Sequence, residues 1–268
     1  MRFYYYGLSL FLLMSNSCDS GKLTNLADLP MRISESSALE IIPDVPLLWT
    51  IEDRGNGPVL YGLDTSASLE KVLTITNAKN HDWEDLTSDK QGNLYIGDFG
   101  NNHHNREKFS IYKINHPENA SSEIEAERIQ FQLPEKHKSE DFEAFFIWDE
   151  HFYIFSKSHK KGILIKVPNK KGMHTAEIVA KFDLDAKHKR ITSADISEDG
   201  QQVVLLNHDK LFLLTDFKDD NFFEGKIKII DFEHDSQKEG IVFSDSETVL
   251  ISDEKTSSVG GNIYSLKL

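Results

Sequence analysis

The sequence predicts an all-β chain folded as a five-bladed β-propeller, with the N-terminal strand closing the last blade. Three observations predict it. One pattern of acid, apolar strand, polar turn and further strands recurs five times along the chain. The copies start at residues 35, 84, 143, about 194 and 239, so each is about 45–59 residues long, and four strands in roughly 40–50 residues is the length of one blade. The last copy runs out one strand short, while strand-like residues stand unused ahead of the first.

The second copy is the clearest. It opens at Glu84-Asp85-Leu86-Thr87, turns at Lys90-Gln91-Gly92-Asn93, and returns through Leu94-Tyr95-Ile96-Gly97-Asp98. Phe109 to Ile114 is its third strand and Arg128 to Leu133 its fourth. The third copy has Glu143 to Phe146, Phe152 to Lys157, Ile163 to Val167 and Glu177 to Phe182. The fourth has Asp195-Ile196-Ser197, Val203 to His208, Leu211 to Leu214 and Lys226 to Phe232. The fifth has Glu239 to Phe243, Thr248 to Asp253 and Asn262 to Leu266. The first starts at Glu35 and includes Leu47 to Asp53, Val59 to Leu63 and Lys71 to Ile75. Val, Ile, Tyr and Phe alternating between Asp, Gly and Asn turns mark strands, and no segment sustains a helical period. Residues 24–34 are the candidate for the missing strand, which would leave no sheet edge open in the ring.

The N-terminus has the form of an export signal. Arg2 precedes an apolar run from Phe3 to Met14, interrupted only by Gly7 and Ser9. Twelve residues are too few to cross a bilayer core, which needs roughly 20, but suit a signal-peptide core. The run ends at Ser15-Asn16-Ser17-Cys18, and Cys18 is the only cysteine. This resembles the lipidated cysteine of bacterial lipoproteins, in a loose form with Ser15 in place of the usual Leu. The expected organisation is a lipoprotein signal peptide over 1–17 and a single propeller domain over 18–268, held extracytoplasmically at the cell envelope, in the outer membrane, by its lipid anchor only. With one cysteine, no disulfide forms within the chain, so the core alone must hold the fold.

Composition excludes some partners. There are 44 acidic residues against 30 Lys and Arg, a formal net charge of −14. Nucleic acid and anionic lipid headgroups both reward clustered cations, so neither is expected. Divalent metal ions and cationic ligands remain.

Leu60-Tyr61-Gly62-Leu63-Asp64-Thr65, Asp82-Trp83-Glu84-Asp85 and Gly92-Asn93-Leu94-Tyr95-Ile96-Gly97-Asp98 resemble segments of exported bacterial β-propellers. The similarity is to NHL-like, SdiA-regulated-like and phytase-like propellers, many of them Bacteroidota lipoproteins. It is sharpest over residues 47–115 and implies architecture rather than activity.

A fourteen-residue spacing places chemistry. Glu84 opens an inner strand and Asp98 closes the next, so both lie at one face near the axis. Glu143 to Lys157, Ala194 to His208 and Glu239 to Asp253 repeat the interval, and Glu35 to Asp53 is a longer version. The expectation is a carboxylate ring at one mouth: Glu35, Asp53, Glu84, Asp98, Glu143, Asp195, Glu239 and Asp253. Such a ring either holds a hard cation, Ca²⁺ above all with its six to eight oxygen ligands, or accepts backbone N–H groups and stitches blades together. Two Asp-x-Gly-Asn loops, Asp53 to Asn56 and Asp98 to Asn101, add Asn56, Asn101 and Asn102 as ligand contacts or as residues of tight turns at φ > 0. Arg106, Lys157 and His208 are the cationic or titratable groups expected on the rim. No Gly-x-Ser-x-Gly, His-Glu-x-x-His or phosphate-cradling Gly loop is present. Two functions stand open: a module binding a small molecule or an envelope protein at an acidic central mouth, and a Ca²⁺-dependent hydrolase of phosphoesters or lactones.

Overall fold

The computed structural model describes residues 20–158, 161–184, 190–256 and 259–268. The signal segment 1–17 and Cys18 lie outside the described residues. Five sheets make the five blades, in chain order around one axis. Blade 1 holds Glu40–Ile41, Leu48–Thr50, Val59–Leu63 and Leu69–Ile75; blade 2 holds Trp83–Ser88, Asn93–Asp98, Phe109–Asn115 and Glu127–Gln132. Blade 3 runs through Phe142–Trp148, His151–Ser156, Gly162–Pro168 and Glu177–Phe182. Blade 4 is Ser193–Ile196, Gln202–Leu206, Lys210–Thr215 and Lys226–Asp231.

Blade 5 takes Lys238–Asp245, Thr248–Asp253 and Asn262–Lys267 from the C-terminal end of the chain, and Thr24–Asp28 from the N-terminal end. Thr24 lies opposite Ser265 and Asp28 opposite Asn262, antiparallel. The N-terminal strand therefore supplies the missing edge, and the ring is closed.

The apolar side chains show why these strands assemble as blades. Five separate core clusters exist, and each fills the space between two neighbouring blades. Phe99, Phe109 and Phe131 of blade 2 pack on Phe142, Phe145 and Phe152 of blade 3. Phe146 and Phe155 of blade 3 meet Val203, Leu205 and Phe212 of blade 4. Trp49 and Leu60 meet Trp83 and Ile96 across blades 1 and 2. Val204 and Leu213 meet Ile241 and Ile251 across blades 4 and 5. The fifth cluster, Leu39, Leu48 and Leu63 with Val242 and Ile263, joins blade 5 to blade 1. Successive side chains of a strand point to opposite faces, and here both faces are buried. Phe145 and Phe146, or Ile154 and Phe155, thus serve different interfaces, which is why these strands read as unbroken apolar runs.

Two short strands were not expected. Glu123–Ile124 joins the outer edge of blade 1, and Gly172–Thr175 the outer edge of blade 2, both in parallel. Each comes from a connection of the next blade, and each covers an edge that would otherwise face water unpaired.

Candidate functional site

The inner strands of blades 2, 3 and 5 share one irregularity at the same end. Trp83 pairs with Asp98 but Asp85 pairs with Gly97, which leaves Glu84 as an extra, unpaired residue. Glu143 is bulged in the same way between Phe142 and Ala144, and Glu239 between Lys238 and Gly240. A β-bulge re-aims the side chain it carries. The three bulged glutamates belong to one cluster: Glu143 exerts the strongest charge effect on Glu84, and Glu239 acts on Glu143.

Blades 1 and 4 carry hydroxyls at this level. Ser37 Oγ donates to the Trp83 carbonyl at 3.3 Å, and Thr192 Oγ1 donates to the Lys238 carbonyl at 2.8 Å. One step further along the channel, Asp85 sits fully buried across the axis. Its Oδ2 accepts from Phe145 N–H at 3.0 Å and Ala194 N–H at 3.2 Å, and its Oδ1 from Ser193 Oγ at 2.9 Å. Asp85 is therefore a stitch between three blades. Burial still pushes its pKa well above the usual carboxylate range.

The glutamates are held differently. Lys157 Nζ lies 2.7 Å from Glu143 Oε2, and His208 Nε2 lies 2.9 Å from Glu239 Oε1. Burial works against the Lys157 charge, but Glu143, Glu239 and Glu84 together hold its pKa above the ordinary lysine value. Glu143 Oε1 is buried without a partner among the described residues, and burial chiefly raises that carboxyl to about 8. Glu84 is only 7% exposed, and among the described residues nothing donates a hydrogen bond to it. Burial first, then Glu143, Asp53 and Asp82, pushes its pKa well up.

Asp53 and Asp82 complete a triad with Glu84. Each of the three offers an oxygen, and those oxygens lie within 4.8 Å of one another. Burial and the nearby Asp53 raise Asp82 to about 6, against the pull of Arg54 and Arg106. Gly100 faces the same spot: a Cβ there would stand 1.8 Å from Glu84 Oε1 and 2.6 Å from Asp82 Cγ. Glu35 and Glu254 border the triad. Burial, then Glu239, Asp53 and Glu35, raises Glu254 to about 8. Concentrated like charges of this kind are relieved by protonation or by a cation, and three carboxylates so close are a donor set that suits a hard divalent ion.

The expected ring is thus partly assembled. Glu35, Asp53, Glu84, Glu143 and Glu239 gather at one mouth, with Lys157 and His208 beside them. Asp98, Asp253 and Asp195 do not join them. Asp98 is turned into its blade, where it accepts from Asp82 N–H at 3.2 Å and pairs with Arg106 at 3.0 Å and His81 at 3.1 Å. Asp253 is likewise internal, accepting from Asn262 N–H at 2.8 Å and Tyr264 OH at 2.9 Å. Asp195 lies near the other mouth, where Phe243 N–H donates to it at 2.7 Å.

The loop residues also sort. Arg106 is spent inside its own loop, donating to the carbonyls of Gly100 at 2.8 Å and Asp98 at 2.9 Å. Asn101 is buried and fully engaged with Ser139, Glu140, Asn105 and Arg106, so it is a loop organiser rather than a ligand contact. Asn56 donates to Glu35 Oε2 at 2.6 Å on the rim, and Asn102 is exposed. Gly55 has φ +101° as a tight turn requires, whereas Gly100 lies outside the positive-φ set. Gly100 is needed for close approach instead. Trp49 and Trp83 are core residues.

Asp82 and Glu254 were not singled out in the sequence, yet both carried a signal. Asp82-Trp83-Glu84 is repeated as Asp141-Phe142-Glu143, an acid two places ahead of the bulged glutamate in blades 2 and 3. Glu254 follows Asp253 as Asp53 follows Glu52. Glu52 and Asp253 both accept from a tyrosine, Tyr61 and Tyr264, which puts Asp53 and Glu254 at the equivalent next position.

No known protein-family model matches the chain, and no curated protein matches it either. Solved structures do. The PQQ-bound aldose sugar dehydrogenase of Streptomyces coelicolor superposes with a TM-score of 0.56 over 92% of this chain and 98% of that one, at 8% identity. A chain of the nidogen/laminin complex gives a TM-score of 0.52 over 84% of this chain and 74% of that one, at 9% identity. Both neighbours are β-propellers. At such identities the likeness establishes the fold alone.

Proposed function

We propose that this chain is an envelope-anchored binding propeller, lipidated at Cys18, whose acidic mouth takes a divalent cation of the Ca²⁺ class. Glu84 is the observation that carries the reading. It is buried, bulged, without a hydrogen bond among the described residues, and within reach of Asp53 and Asp82. A carboxylate left this way is costly unless something positive meets it. Asp53, Asp82 and Glu84 would hold the ion, and Glu143, Glu239 and Glu254 would set the negative field around it. An external ligand with its own oxygen atoms would complete the shell.

The test is calcium binding to the soluble 19–268 fragment, followed by calorimetry and thermal melting. An ion that binds only the folded state stabilises it by about 2.7 kcal/mol at ~100 times its dissociation constant. Glu84→Gln should remove that gain at nearly constant shape. Melting curves unmoved by millimolar calcium and by EDTA would refute the reading.

One observation favours the hydrolase alternative. The His208 imidazole is held by Glu239 at 2.9 Å on the same rim, an arrangement that suits a general base. A phosphatase, esterase and lactonase panel with calcium present, on wild type and His208→Ala, separates the two. Turnover lost in the variant would make the chain an enzyme.

A further inference from the structure

The other mouth of the channel opens into a cavity of about 1090 Å³, well away from the triad. At its inner end are two carboxylates from opposite sides of the ring, Glu40 of blade 1 and Asp195 of blade 4. Their positions correspond. Asp195 Oδ2 accepts Phe243 N–H of blade 5 at 2.7 Å, while Glu40 Oε1 accepts Ser88 Oγ of blade 2 at 2.9 Å and Ile41 N–H at 3.0 Å. Each therefore binds the next blade.

Their second oxygens differ. Asp195 Oδ1 accepts Ile196 N–H at 2.8 Å, so both of its oxygens are satisfied. Glu40 Oε2 accepts nothing among the described residues, although Glu40 is only 5% exposed and lines the cavity. No Lys, Arg or His forms an ion pair with either carboxylate among the described residues. Around them the cavity wall mixes apolar side chains, Ile147, Trp148, Val242 and Phe243, with the hydroxyl-bearing Thr87, Ser88 and Ser197. The turns at its rim add Asp149, Glu150, Asp199 and Asp245. Among the described residues one cation stands on that rim, Lys90, and it is already directed at Glu198.

The charge calls for a cation, and the surroundings decide which kind. Hard metal ions need several oxygen donors converging. The described residues form only one close group of three metal-ligating side chains, and that is the triad at the first mouth. Glu40 and Asp195 belong to no such group among the described residues, and apolar side chains stand beside them in the cavity wall. A cavity that sets a few convergent polar groups among apolar side chains is the usual build of a small-molecule site. We infer that this second mouth binds an organic cation, with an alkylammonium group seated between Glu40 and Asp195 and its carbon chain against Ile147, Val242 and Phe243. The ammonium would donate to Glu40 Oε2 and relieve the repulsion between the two acids.

The experiment uses 1,6-diaminohexane as the probe, titrated calorimetrically into the 19–268 fragment at fixed ionic strength with 1 mM EDTA present. Wild type should bind it, and hexan-1-ol should not bind detectably. Glu40→Gln keeps the size of the side chain and the acceptor for Ser88, and it should weaken the diamine at least tenfold. Asp195→Asn is the second variant, checked like the first for a native circular dichroism spectrum, and it should weaken binding as well. Diamine affinity unchanged in both variants would place the cation elsewhere and overturn the inference. Equal binding of hexan-1-ol would show that only the apolar wall matters, and would also overturn it. Stoichiometric displacement of the diamine by Mg²⁺ in the absence of EDTA would make this a metal site instead. None of these outcomes depends on calcium at the first mouth.

Discussion

Gly100 lies directly against the Glu84 carboxylate: a Cβ on residue 100 would come 1.8 Å from Glu84 Oε1. The Asp98–Asn101 loop and the bulged strand of blade 2 thus meet at a point with room for hydrogen only. Asp82 closes the other side, with its Cγ 2.6 Å from the same position.

Gly100→Ala should therefore push both carboxylates out of place. Forcing a methyl group into such a site costs about 1–3 kcal/mol, so the variant should melt several degrees below wild type. It should also lose calcium stabilisation, because two of the three triad oxygens have moved. An alanine variant with unaltered calcium response would show that the triad is not the binding group.

Ring closure makes a second prediction. Leu23, Leu29 and Ile33 are buried in two of the five interfaces, and Thr24–Asp28 is the edge strand of blade 5. Deleting residues 19–34 should cost several kcal/mol, taking about 1.5–3 kcal/mol for each buried aliphatic side chain, and expose the edge at Asn262–Lys267. Urea unfolding measures it. A truncated chain melting within a degree or two of the parent would mean that the ring does not rely on this strand.

Blade count and closure were legible because apolar runs of strand length recur in one order and the last set lacks a member. The mouth was legible only in part, and the reason is the bulge. Counting fourteen residues from Glu84 or Glu239 reaches Asp98 and Asp253, but the bulge absorbs one residue, so those aspartates pair with Trp83 and Lys238 and point into the blade. Asp53, Lys157 and Glu254, one place beyond Glu52, Ser156 and Asp253, are the residues that reach the mouth; the count from Glu143 reaches Lys157 because the blade 3 hairpin is one residue shorter. Blade 4 pairs without a bulge, Ser193 opposite Leu206. Counting back from His208 therefore gives Ala194, two residues beyond Thr192, and places Asp195 at the wrong mouth. Both faces of these inner strands are buried, so there is no polar–apolar alternation for a bulge to interrupt, which hides it from sequence. The short parallel strands at Glu123–Ile124 and Gly172–Thr175 are hidden for a related reason: their partners are in another blade.

Lys157 and Glu143 make a nearly buried ion pair, with Glu143 Oε1 already unpartnered. Removing one member of such a pair strands the other charge. Lys157→Met should destabilise by about 3 kcal/mol, and adding Glu143→Gln should recover most of it, since the stranded charge is gone. Chemical denaturation of wild type, both single variants and the double closes the cycle. Additive effects would show that the two groups do not act together.

Membrane attachment tests the reading of the N-terminus. Cys18→Ser should move the protein from the membrane fraction to the soluble one, and palmitate labelling of wild type should disappear with the cysteine. Wild type that takes no label, with a variant that still sediments with membranes, would remove lipidation from the proposal.

Glu40 makes the prediction with a pH signature. Burial first, then Asp195 and Asp85, raises its pKa well above the ordinary 4.5, and burial raises Asp195 from 3.8 to about 7. The groups facing this pair are Asp85 from blade 2 and the rim acids, while Lys90 is occupied with Glu198. A carboxyl whose folded pKa exceeds its unfolded value keeps a proton in the native state that the unfolded chain has released. Stability then falls as pH rises between those two values. Wild type should accordingly lose stability from pH 4.5 upward to neutrality, where Glu40 and Asp195 compete for charge. Glu40→Gln removes one competitor and leaves Ser88 its acceptor. It should raise stability by about 1–3 kcal/mol at pH 8 and change little at pH 4.5, where Glu40 is already protonated. Other buried carboxyls at the first mouth also titrate, so the difference between variant and wild type is the quantity that counts. If that difference is flat from pH 4.5 to 8, Glu40 is not held as a strained acid, and the case for a cation between it and Asp195 loses its driving force.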